Sequence, residues 1–467
     1  MTETPGVAAR LGARAVFRDG EIRGAMPQSI DAVFTHALGT AIGLRAREAR
    51  FGAVVIGRDA TLASVELAAA MQAGMRAAGV DVIDIGMATS PMACYATRLM
   101  DCGVGVSVCT SDSPMPRASI KVMWDGLPLQ GDGLLALRAL MHESPSLPAP
   151  GARRALNLLP CYLARVTADL RLARPIKVAI DCGQGATAHV APALLRAIGC
   201  DVTVLFEQTQ PGTAPPHPAH PTAWQNLQDL VYCLRYSDCE LGIAFDGDGD
   251  RMAVVSKRGL VITPDQVMML LVPSVLARHA RGMVLHDART SLGLARVVAR
   301  AGGESAPWRG DPASMKTRMQ AVGALLGVDL SGRHYFRDRW YGYDDAVYAA
   351  ARLLECLSAW PETDHALATL PASFRAPVLR IDMPAADITA LLARLRSQAK
   401  FDQARRISYV DGVRVEYEDA FAVLRASRYD GALVLEAEGS TQSMVARVRQ
   451  ALLQAAAQIA PPLAAYL

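Results

Sequence analysis

The residues best suited to chemistry are three aspartates, Asp246, Asp248 and Asp250, which are separated by single glycines and follow the apolar segment 241–245. Glycine lets the backbone curl, so the three carboxylates can converge on one point. Oxygen ligands without histidine or cysteine are typical of sites for a hard cation such as Mg²⁺. An EF-hand loop also begins with alternating aspartates, but it needs glycine at its sixth position, where this chain has Arg251. The spacing therefore predicts a Mg²⁺ site.

A second candidate is Ser111, which lies in the segment CTSDSP directly after the apolar run 103–108. A hydroxyl at the carboxyl end of a parallel strand lies where open α/β sheets bind ligands. Serine also fills ordinary loops for its hydrogen-bonding capacity. Taken alone, this segment is read more simply as a loop than as a catalytic site.

The elements that must position these residues repeat a short cycle of apolar strand, turn and amphipathic helix. The runs 53–57, 81–86 and 103–108 alternate with helical periodicity, and the cycle restarts at 176–181 after a linker-like stretch rich in proline and serine at 143–154. Such alternation predicts parallel or mostly parallel sheets with helices on their faces.

Three units of similar rhythm are followed by a last segment of different texture. The expected fold is α/β: three similar mixed-sheet α/β modules and a smaller C-terminal α+β domain around a central cleft. We expect the modules to cover residues 1–150, 151–256, 257–366 and 367–467.

Composition excludes several classes of protein. The 467 residues carry 48 Lys and Arg against 45 Asp and Glu, a formal net charge of +3, which argues against a nucleic-acid binder that relies on neutralising phosphates. The sequence has no apolar stretch of the roughly 18 residues that a membrane span needs. The first residues lack the pattern of a secretory signal, and the nine cysteines form no CxxC pair. We therefore expect a cytoplasmic protein that binds neither nucleic acid nor membrane.

Several motifs together resemble those of the α-D-phosphohexomutases, especially bacterial phosphomannomutase/phosphoglucomutase. The metal-loop sequence DGDGDR and the serine loop are joined by FRDGEIRG at 17–24, VVIGRDA at 54–60, DCGQGA at 181–186, the stretch 335–355, and DGVRVEY with LRAS within 411–427. These motifs occur in the family's order along nearly the whole chain.

The resemblance implies a four-domain enzyme that interconverts hexose 1-phosphate and hexose 6-phosphate of mannose or glucose. In this family a phosphoserine, here Ser111, hands its phosphate to the sugar and forms a bisphosphorylated intermediate. The serine also binds Mg²⁺ together with Asp246, Asp248 and Asp250. Hexose 1,6-bisphosphate would act as activator, and the enzyme would be a monomer or a weak dimer.

Further residues carry over from the family's motifs one at a time. Arg23, Lys121 and Arg251 match cationic positions of the catalytic centre. The sugar-recognition loop corresponds to 328–333, which places Asp329 and Ser331 at its sugar contacts. Arg425 and Ser427 match the loop that holds the non-reacting phosphate, and Arg428 follows them as a second guanidinium that could bracket it.

The departures from the family pattern cluster at the expected site: Gly20, Asp112, Ser113, Asp329 and Arg333 replace its tyrosine, histidine, asparagine, glutamate and histidine. Two hypotheses follow. The chain is either an active mutase with altered substrate fit, or an impaired paralogue that binds Mg²⁺ and sugar phosphate without efficient turnover.

Overall fold

Apolar strands alternate with helices through the chain, as the sequence predicts. The computed structural model describes residues 14–18, 20–111, 115–143, 149–207, 217, 220–427 and 431–466. These residues form four β-sheets, which confirms the predicted fold class. We call each sheet with its helices a module and number the modules in chain order.

Module I has a mixed sheet in the order β1-β2-β6-β5-β3-β4-β8, with β7 paired to β6. Its elements are β1 (Phe17–Arg18), β2 (Glu21–Ala25), α1 (Ala32–Glu48), β3 (Ala53–Arg58), α2 (Leu62–Ala77), β4 (Asp81–Met87), α3 (Ser90–Met100), β5 (Val104–Ser111), β6 (Arg117–Trp124), β7 (Leu127–Pro128), α4 (Asp132–Leu140) and β8 (Arg153–Ala155). The predicted linker at 143–154 thus includes the first residues of the edge strand β8.

Module II has the order β10-β9-β11-β12-β13. Its elements are α5 (Leu159–Thr167), β9 (Lys177–Asp181), α6 (Thr187–Ala197), β10 (Asp201–Leu205), α7 (Gln228–Tyr236), β11 (Leu241–Phe245), β12 (Met252–Ser256) and β13 (Val261–Ile262). Strands β9, β10 and β11 are parallel, and β12 returns antiparallel to β11.

Module III has the order β15-β14-β16-β17. Its elements are α8 (Pro264–Leu276), β14 (Met283–Asp287), α9 (Leu292–Arg300), β15 (Glu304–Trp308), α10 (Pro312–Val322), β16 (Leu326–Val328), β17 (His334–Phe336), α11 (Ala346–Ser358) and α12 (Thr363–Leu367). Again the parallel strands β14, β15 and β16 are followed by an antiparallel partner, β17.

Module IV is built on an antiparallel sheet in the order β18-β23-β22-β21-β20, with β19 paired to β23. Its elements are β18 (Phe374–Arg375), β19 (Leu379–Asp382), α13 (Ala385–Gln398), β20 (Arg406–Ser408), β21 (Val413–Glu416), β22 (Ala420–Ala426), β23 (Ala432–Gly439) and α14 (Gln442–Ile459). Its helices pack on a separate apolar core.

One feature of modules I to III positions the site. In each, the last parallel strand of the sheet turns into an antiparallel strand, as β5–β6, β11–β12 and β16–β17. The serine, aspartate and sugar-recognition segments all lie at these turns. The segment with Arg425 and Ser427 lies at the β22–β23 turn of module IV. Four hairpin turns therefore carry the serine, the aspartates and the segments 328–333 and 425–427, whereas Arg23 and Lys121 lie within β2 and β6.

Among the described residues, no helix combines the length and the apolar character needed to cross a membrane.

Candidate active site

The aspartate loop between β11 and β12 is the point where three modules meet. Three consecutive carbonyls of the loop each accept a main-chain N–H from a different part of the chain: Gly247 from Ala186 (3.0 Å), Asp248 from Ser90 (2.8 Å) and Gly249 from Ala346 (3.0 Å). These donors lie in modules II, I and III. Gly249 has a φ of +74°, and a Cβ there would lie 2.7 Å from Cγ2 of Thr89. Only glycine suits this backbone and this spacing.

The three carboxylates converge as their spacing predicts. One oxygen from each of Asp246, Asp248 and Asp250 can be chosen so that all lie within 4.8 Å of one another. Oδ1 of Asp250 is buried and has no hydrogen-bond partner among the described residues. A buried acceptor without a partner is unfavourable unless a ligand satisfies it. This oxygen has only a 3.5 Å ion pair with Nε of Arg251, and the hard oxygen donors fit a divalent cation such as Mg²⁺.

Two predicted cationic residues lie against this loop. Lys121, on β6 of module I, donates from Nζ to Oδ2 of Asp248 and to Oδ2 of Asp250, the latter at 2.6 Å. Arg251 donates from Nε to Oδ2 of Asp246 at 2.7 Å. Both cations are thus bound directly to the proposed metal ligands.

The charges around Asp250 determine its ionisation. Burial disfavours its charged form, but Arg333, Lys121 and Arg251 outweigh burial and hold the pKa of Asp250 well below its usual value. Burial acts against the charge of Lys121 as well, whereas Asp248 and Asp250 raise the pKa of its ammonium well above the usual value. Both groups are therefore charged at neutral pH.

Strand alternation orients the predicted serine. Val104, Val106 and Val108 of β5 lie in the core of module I, so the alternate residues Ser107, Cys109 and Ser111 are on the opposite face. These three residues pair with Lys121, Ser119 and Arg117 of β6, respectively. Ser119 in turn pairs with Arg23 of β2. Directly opposed residues share a face. Ser111, Lys121 and Arg23 are therefore on the same side of the sheet, with Ser111 exposed at the strand end.

Arg23 also contacts its own strand. Its Nη1 lies 3.6 Å from Oε1 of Glu21, whose Oε2 accepts a hydrogen bond of 2.8 Å from Ser119. The guanidinium is partly exposed on the side of the sheet that carries Ser111.

The residue before Ser111 is fixed by an aspartate that sequence reasoning did not select. Asp59, at the end of β3, accepts the main-chain N–H of Thr110 at 2.6 Å and the hydroxyl of Thr61 at 2.8 Å. Asp59 is the aspartate of the VVIGRDA motif at 54–60, so the sequence did contain a signal for it. Because Asp59 holds Thr110, it positions the end of the strand from which Ser111 projects.

The segment 328–333, which is predicted to recognise the sugar, forms a tight turn between β16 and β17. Asp329 is fully buried, and its Oδ1 accepts hydrogen bonds from the main chain of Ser331 (2.8 Å) and from the Ser331 hydroxyl. Its Oδ2 accepts from the hydroxyl of Tyr335 at 3.2 Å. Burial raises the pKa of Asp329, against the effect of Arg333. Ser331, and not the carboxylate of Asp329, lies on the accessible side of this turn.

Module IV brings Arg425 to the end of β22. Its Nη2 donates to Oε1 of Glu436 at 3.0 Å, and its Nε is buried without a hydrogen-bond partner among the described residues. Ser427 forms a main-chain hydrogen bond of 2.8 Å to Ala432 that closes the turn. Glu436 also lies 4.0 Å from Arg289 of module III. Arg428, like Asp112 and Ser113, lies outside the described residues.

Arg333 is a further residue that the sequence identified only as a departure from the family pattern. It is bound to carboxylates of both modules II and III. Its partner Asp250 is 83 residues away in sequence, so no spacing could have revealed that contact.

Comparisons with known proteins agree with this architecture. Family models described as phosphoglucomutase/phosphomannomutase, alpha/beta/alpha domains I, II and III, match residues 14–146, 160–259 and 263–374. A phosphoglucomutase of Neisseria gonorrhoeae is 34% identical over 440 residues, covering 93% of this chain and 95% of the relative. A phosphomannomutase/phosphoglucomutase of Pseudomonas aeruginosa is 31% identical over 436 residues, covering 93% and 94%.

Solved structures also agree with this architecture. The crystal structure of a phosphoglucomutase/phosphomannomutase family protein from Burkholderia thailandensis superposes with a TM-score of 0.88 at 33% identity, covering 96% of this chain and 98% of that one. The family models span most of the chain, and the relatives and the structure cover nearly all of it. The protein therefore belongs to the phosphoglucomutase/phosphomannomutase family of α-D-phosphohexomutases.

Proposed function

We propose that this protein interconverts hexose 1-phosphate and hexose 6-phosphate of mannose or glucose, through a phosphoserine at Ser111 and a bisphosphorylated sugar. One observation carries the proposal: the aspartate loop is hydrogen-bonded to modules I and III, and Lys121, from the sheet face that carries Ser111, lies on two of its carboxylates. The family and the names of the relatives support a phosphohexomutase, and no observation favours the impaired paralogue.

In the first half-reaction, a hydroxyl oxygen of the hexose phosphate attacks the phosphorus carried by Ser111. The bond from phosphorus to Ser111 Oγ breaks, a new phosphate ester forms on the sugar, and the hydroxyl proton ends on Ser111 Oγ. In the second half, Ser111 Oγ attacks the other phosphate of the bisphosphate, and the sugar hydroxyl that is released recovers a proton. The net change moves one phosphate between two positions of the hexose.

Asp246, Asp248 and Asp250, with an oxygen on Ser111, would hold Mg²⁺, which supplies positive charge for the phosphoryl group in transfer. The chain itself supplies further cations. We assign Lys121, Arg251 and Arg23 to stabilising the charge that develops on the phosphoryl oxygens, since phosphoryl transfer depends mainly on positioning and electrostatics.

The remaining contacts are assigned to the two other turns. Ser331 would bond a sugar hydroxyl, and Asp329, whose oxygens are bonded within the turn, would keep that turn in shape. Arg425, Ser427 and Arg428 would hold the phosphate that does not react. The buried Nε of Arg425, which has no partner among the described residues, is a donor suited to a phosphate oxygen.

In the second half-reaction the bisphosphate presents its other phosphate to Ser111. The same transfer would phosphorylate resting enzyme, so a trace of hexose 1,6-bisphosphate would be needed. The module boundaries at 150, 256 and 366, the cytoplasmic location and the state as monomer or weak dimer belong to the same proposal.

The test combines turnover with identification of the phosphorylated residue. A coupled assay would use glucose 1-phosphate and mannose 1-phosphate with Mg²⁺ and a trace of hexose 1,6-bisphosphate. Intact mass and peptide mapping after incubation with the bisphosphate should place one phosphate on Ser111. The variant Ser111→Ala should neither gain phosphate nor turn over, whereas Ser119→Ala, on the same sheet face, should still be phosphorylated.

Phosphate on Thr110, or on no residue, together with no turnover of either sugar phosphate, would contradict the proposal and support the impaired paralogue.

A further inference from the structure

Arg333 makes contacts that no motif assigns to it. It ends the sugar-recognition turn of module III, and its side chain is 15% exposed. Its nitrogens reach the following oxygens: Nη2 to Asp250 Oδ2 (3.1 Å), Nε to Asp344 Oδ2 (3.2 Å), and Nη1 to Ser331 Oγ (2.7 Å) and Asp329 Oδ2 (3.9 Å). One guanidinium therefore joins a proposed metal ligand to the turn that faces the sugar.

A main-chain hydrogen bond also joins the two loops. The N–H of Met252, which begins β12 directly after the aspartate loop, donates to the carbonyl of Gly332 at 3.0 Å. Gly332 has a φ of +103°, and a Cβ there would lie 2.5 Å from the Met252 carbonyl oxygen. The sugar-recognition turn is thus packed against the metal hairpin, with Arg333 at the contact.

Arg333 shares two of its carboxylate partners with lysines. Asp250 also binds Lys121, and Asp344 also binds Lys316 at 2.7 Å, so each of these carboxylates has a second cationic partner. Arg333 remains charged at every physiological pH, because arginine does not lose its proton in proteins. Its loss would leave the acidic cluster with less compensating charge.

A cation bound by Asp250 shares that carboxylate with Arg333. Oδ2 of Asp250 is occupied by the guanidinium and by Lys121, whereas Oδ1 has no hydrogen bond among the described residues and lies 3.5 Å from Nε of Arg251 in an ion pair. Lys121 bonds Asp248 as well, and Arg333 is held by a hydrogen bond to Ser331 and an ion pair with Asp344. Two positive groups on one carboxylate repel each other, and burial strengthens that repulsion.

Arg333 also determines whether the Ser331 hydroxyl can donate or accept a further hydrogen bond. The Ser331 hydroxyl donates its single proton to Asp329 and accepts a hydrogen bond from Arg333. A hydroxyl has one proton and two lone pairs, so one lone pair remains. Ser331 therefore acts as an acceptor toward the sugar, and the sugar hydroxyl must donate.

We propose that Arg333 is a positioning residue with two effects: it lowers the affinity of the Asp246–Asp248–Asp250 site for Mg²⁺, and it fixes Ser331 as a hydrogen-bond acceptor for the sugar. The inference rests on the proposed function, because it concerns the same cleft. It assigns a role to a residue of this chain at which the family's motif has histidine.

The test is calorimetric titration of the full-length protein with Mg²⁺, without sugar phosphate. Arg333→Gln, which keeps hydrogen-bonding groups but removes the charge, should bind Mg²⁺ about five- to fifty-fold more tightly than the parent. Arg333→Lys, which keeps the charge, should stay within about two-fold of the parent. Arg352→Gln, at another buried arginine that is paired with Asp338, controls for loss of a buried charge and should leave Mg²⁺ affinity unchanged.

Kinetics of the same variants test the second effect. Arg333→Gln should raise KM for the hexose phosphate several-fold at saturating Mg²⁺, with a smaller change in kcat. Unchanged or weaker Mg²⁺ binding in folded Arg333→Gln would overturn the proposal, as would an equal gain in Arg333→Lys. If Arg333→Gln does not fold, the result for Arg333→Lys decides: a charge-preserving variant that gains Mg²⁺ affinity would overturn it. Failure of the parent itself to bind Mg²⁺ would instead contradict the proposed function.

Discussion

At the residue scale, the charge of Asp250 is balanced by cations that two other modules supply. Asp250 of module II accepts from Lys121 of module I and from Arg333 of module III. These pairs keep Asp250 ionised in a buried place, where an unpaired charge would be unfavourable. The ion pairs of the site therefore also hold the modules together.

Replacing Asp248 by asparagine should weaken Mg²⁺ binding at least ten-fold, or about 1.4 kcal/mol, and abolish phosphoryl transfer. The amide keeps the size of the side chain but removes one of three charges that attract the cation. Calorimetry measures the affinity. Asp238→Asn is the matched control, because Asp238 lies in the same module at a highly exposed ion pair with Lys177. Equal Mg²⁺ affinity of Asp248→Asn and the parent would count against this site.

Arg425→Ala should raise KM for a hexose 1-phosphate by one to two orders of magnitude, roughly 1.4–2.8 kcal/mol of binding. Glu436→Gln should lower KM, because Glu436 now competes with the substrate phosphate for the same guanidinium. Steady-state kinetics measure both changes, and Arg394→Ala, at an exposed position on α13, controls for loss of a surface charge. A parent-like KM in Arg425→Ala would show that the phosphate loop lies elsewhere.

At the element scale, the serine, the aspartates and the segment 328–333 are each placed by a hairpin. The last parallel strand of modules I to III brings its carboxyl end to the cleft and turns back as an antiparallel strand. The apolar runs before Ser111 and Asp246 made these strand ends visible in the sequence, because a buried strand followed by polar residues marks a site-bearing edge. Strand β8 was not foreseen, since its three residues are all exposed and carry no apolar signal.

A helix cap in the same region gives a prediction about pH. Asp345 caps α11 by accepting the N–H of Tyr348, and both its oxygens accept from the hydroxyl of Tyr162 at 3.0 Å. Burial raises the pKa of Asp345 to about 7. Between its ordinary value near 4 and this raised value, the folded protein keeps a proton that the unfolded chain has released. Stability from this group is therefore present at acid pH and falls as the pH rises through 7.

Asp345→Asn should remove that dependence, since an amide has no proton to lose and still caps a helix. The free energy of unfolding of the variant, relative to the parent, should be higher at pH 8 than at pH 5 by roughly 2–3 kcal/mol. Urea unfolding at the two pH values measures the difference. Asp31→Asn, at the half-buried N-cap of α1, controls for the change of cap. A variant whose relative stability is the same at both pH values would contradict the raised pKa.

At the scale of the whole molecule, the modules are joined by contacts between residues that are far apart in sequence. The order of modules and the acidic loop could be predicted, because their signals are local: apolar periodicity, glycine spacing and clustered carboxylates. The pairing of Lys121 with Asp248, or of Arg333 with Asp250, could not, because 127 and 83 residues separate the partners. Only the folded chain brings these residues together.

A buried arginine links module IV to module III, beside the ion pairs Arg375–Asp265 and Arg296–Asp419. Arg414 of β21 donates from Nη1 to the carbonyls of Ala288 (2.6 Å) and Thr290 (2.9 Å), and from Nε to Glu416 (2.7 Å). Its guanidinium lies 3.7 Å from the ring centre of Phe421. Hydrogen bonds from a charged group contribute about 1.5–3 kcal/mol each, so this residue is a main support of the contact between the modules.

Arg414→Met should loosen module IV without unfolding its own core, because the helices and sheet of that module pack on a separate apolar cluster. Two module III carbonyls and Glu416 would lose their donor. Module IV also carries Arg425, so KM for the hexose phosphate should rise about ten-fold and limited proteolysis should cleave near the junction at 367–374. Mg²⁺ affinity should not change, because modules I, II and III hold the aspartate loop. Arg405→Met, at an exposed ion pair of module IV with Glu418, should leave all three measurements at parent values. If Arg414→Met instead weakens Mg²⁺ binding as much as it raises KM, the modules do not act separately, because the metal site then depends on the attachment of module IV.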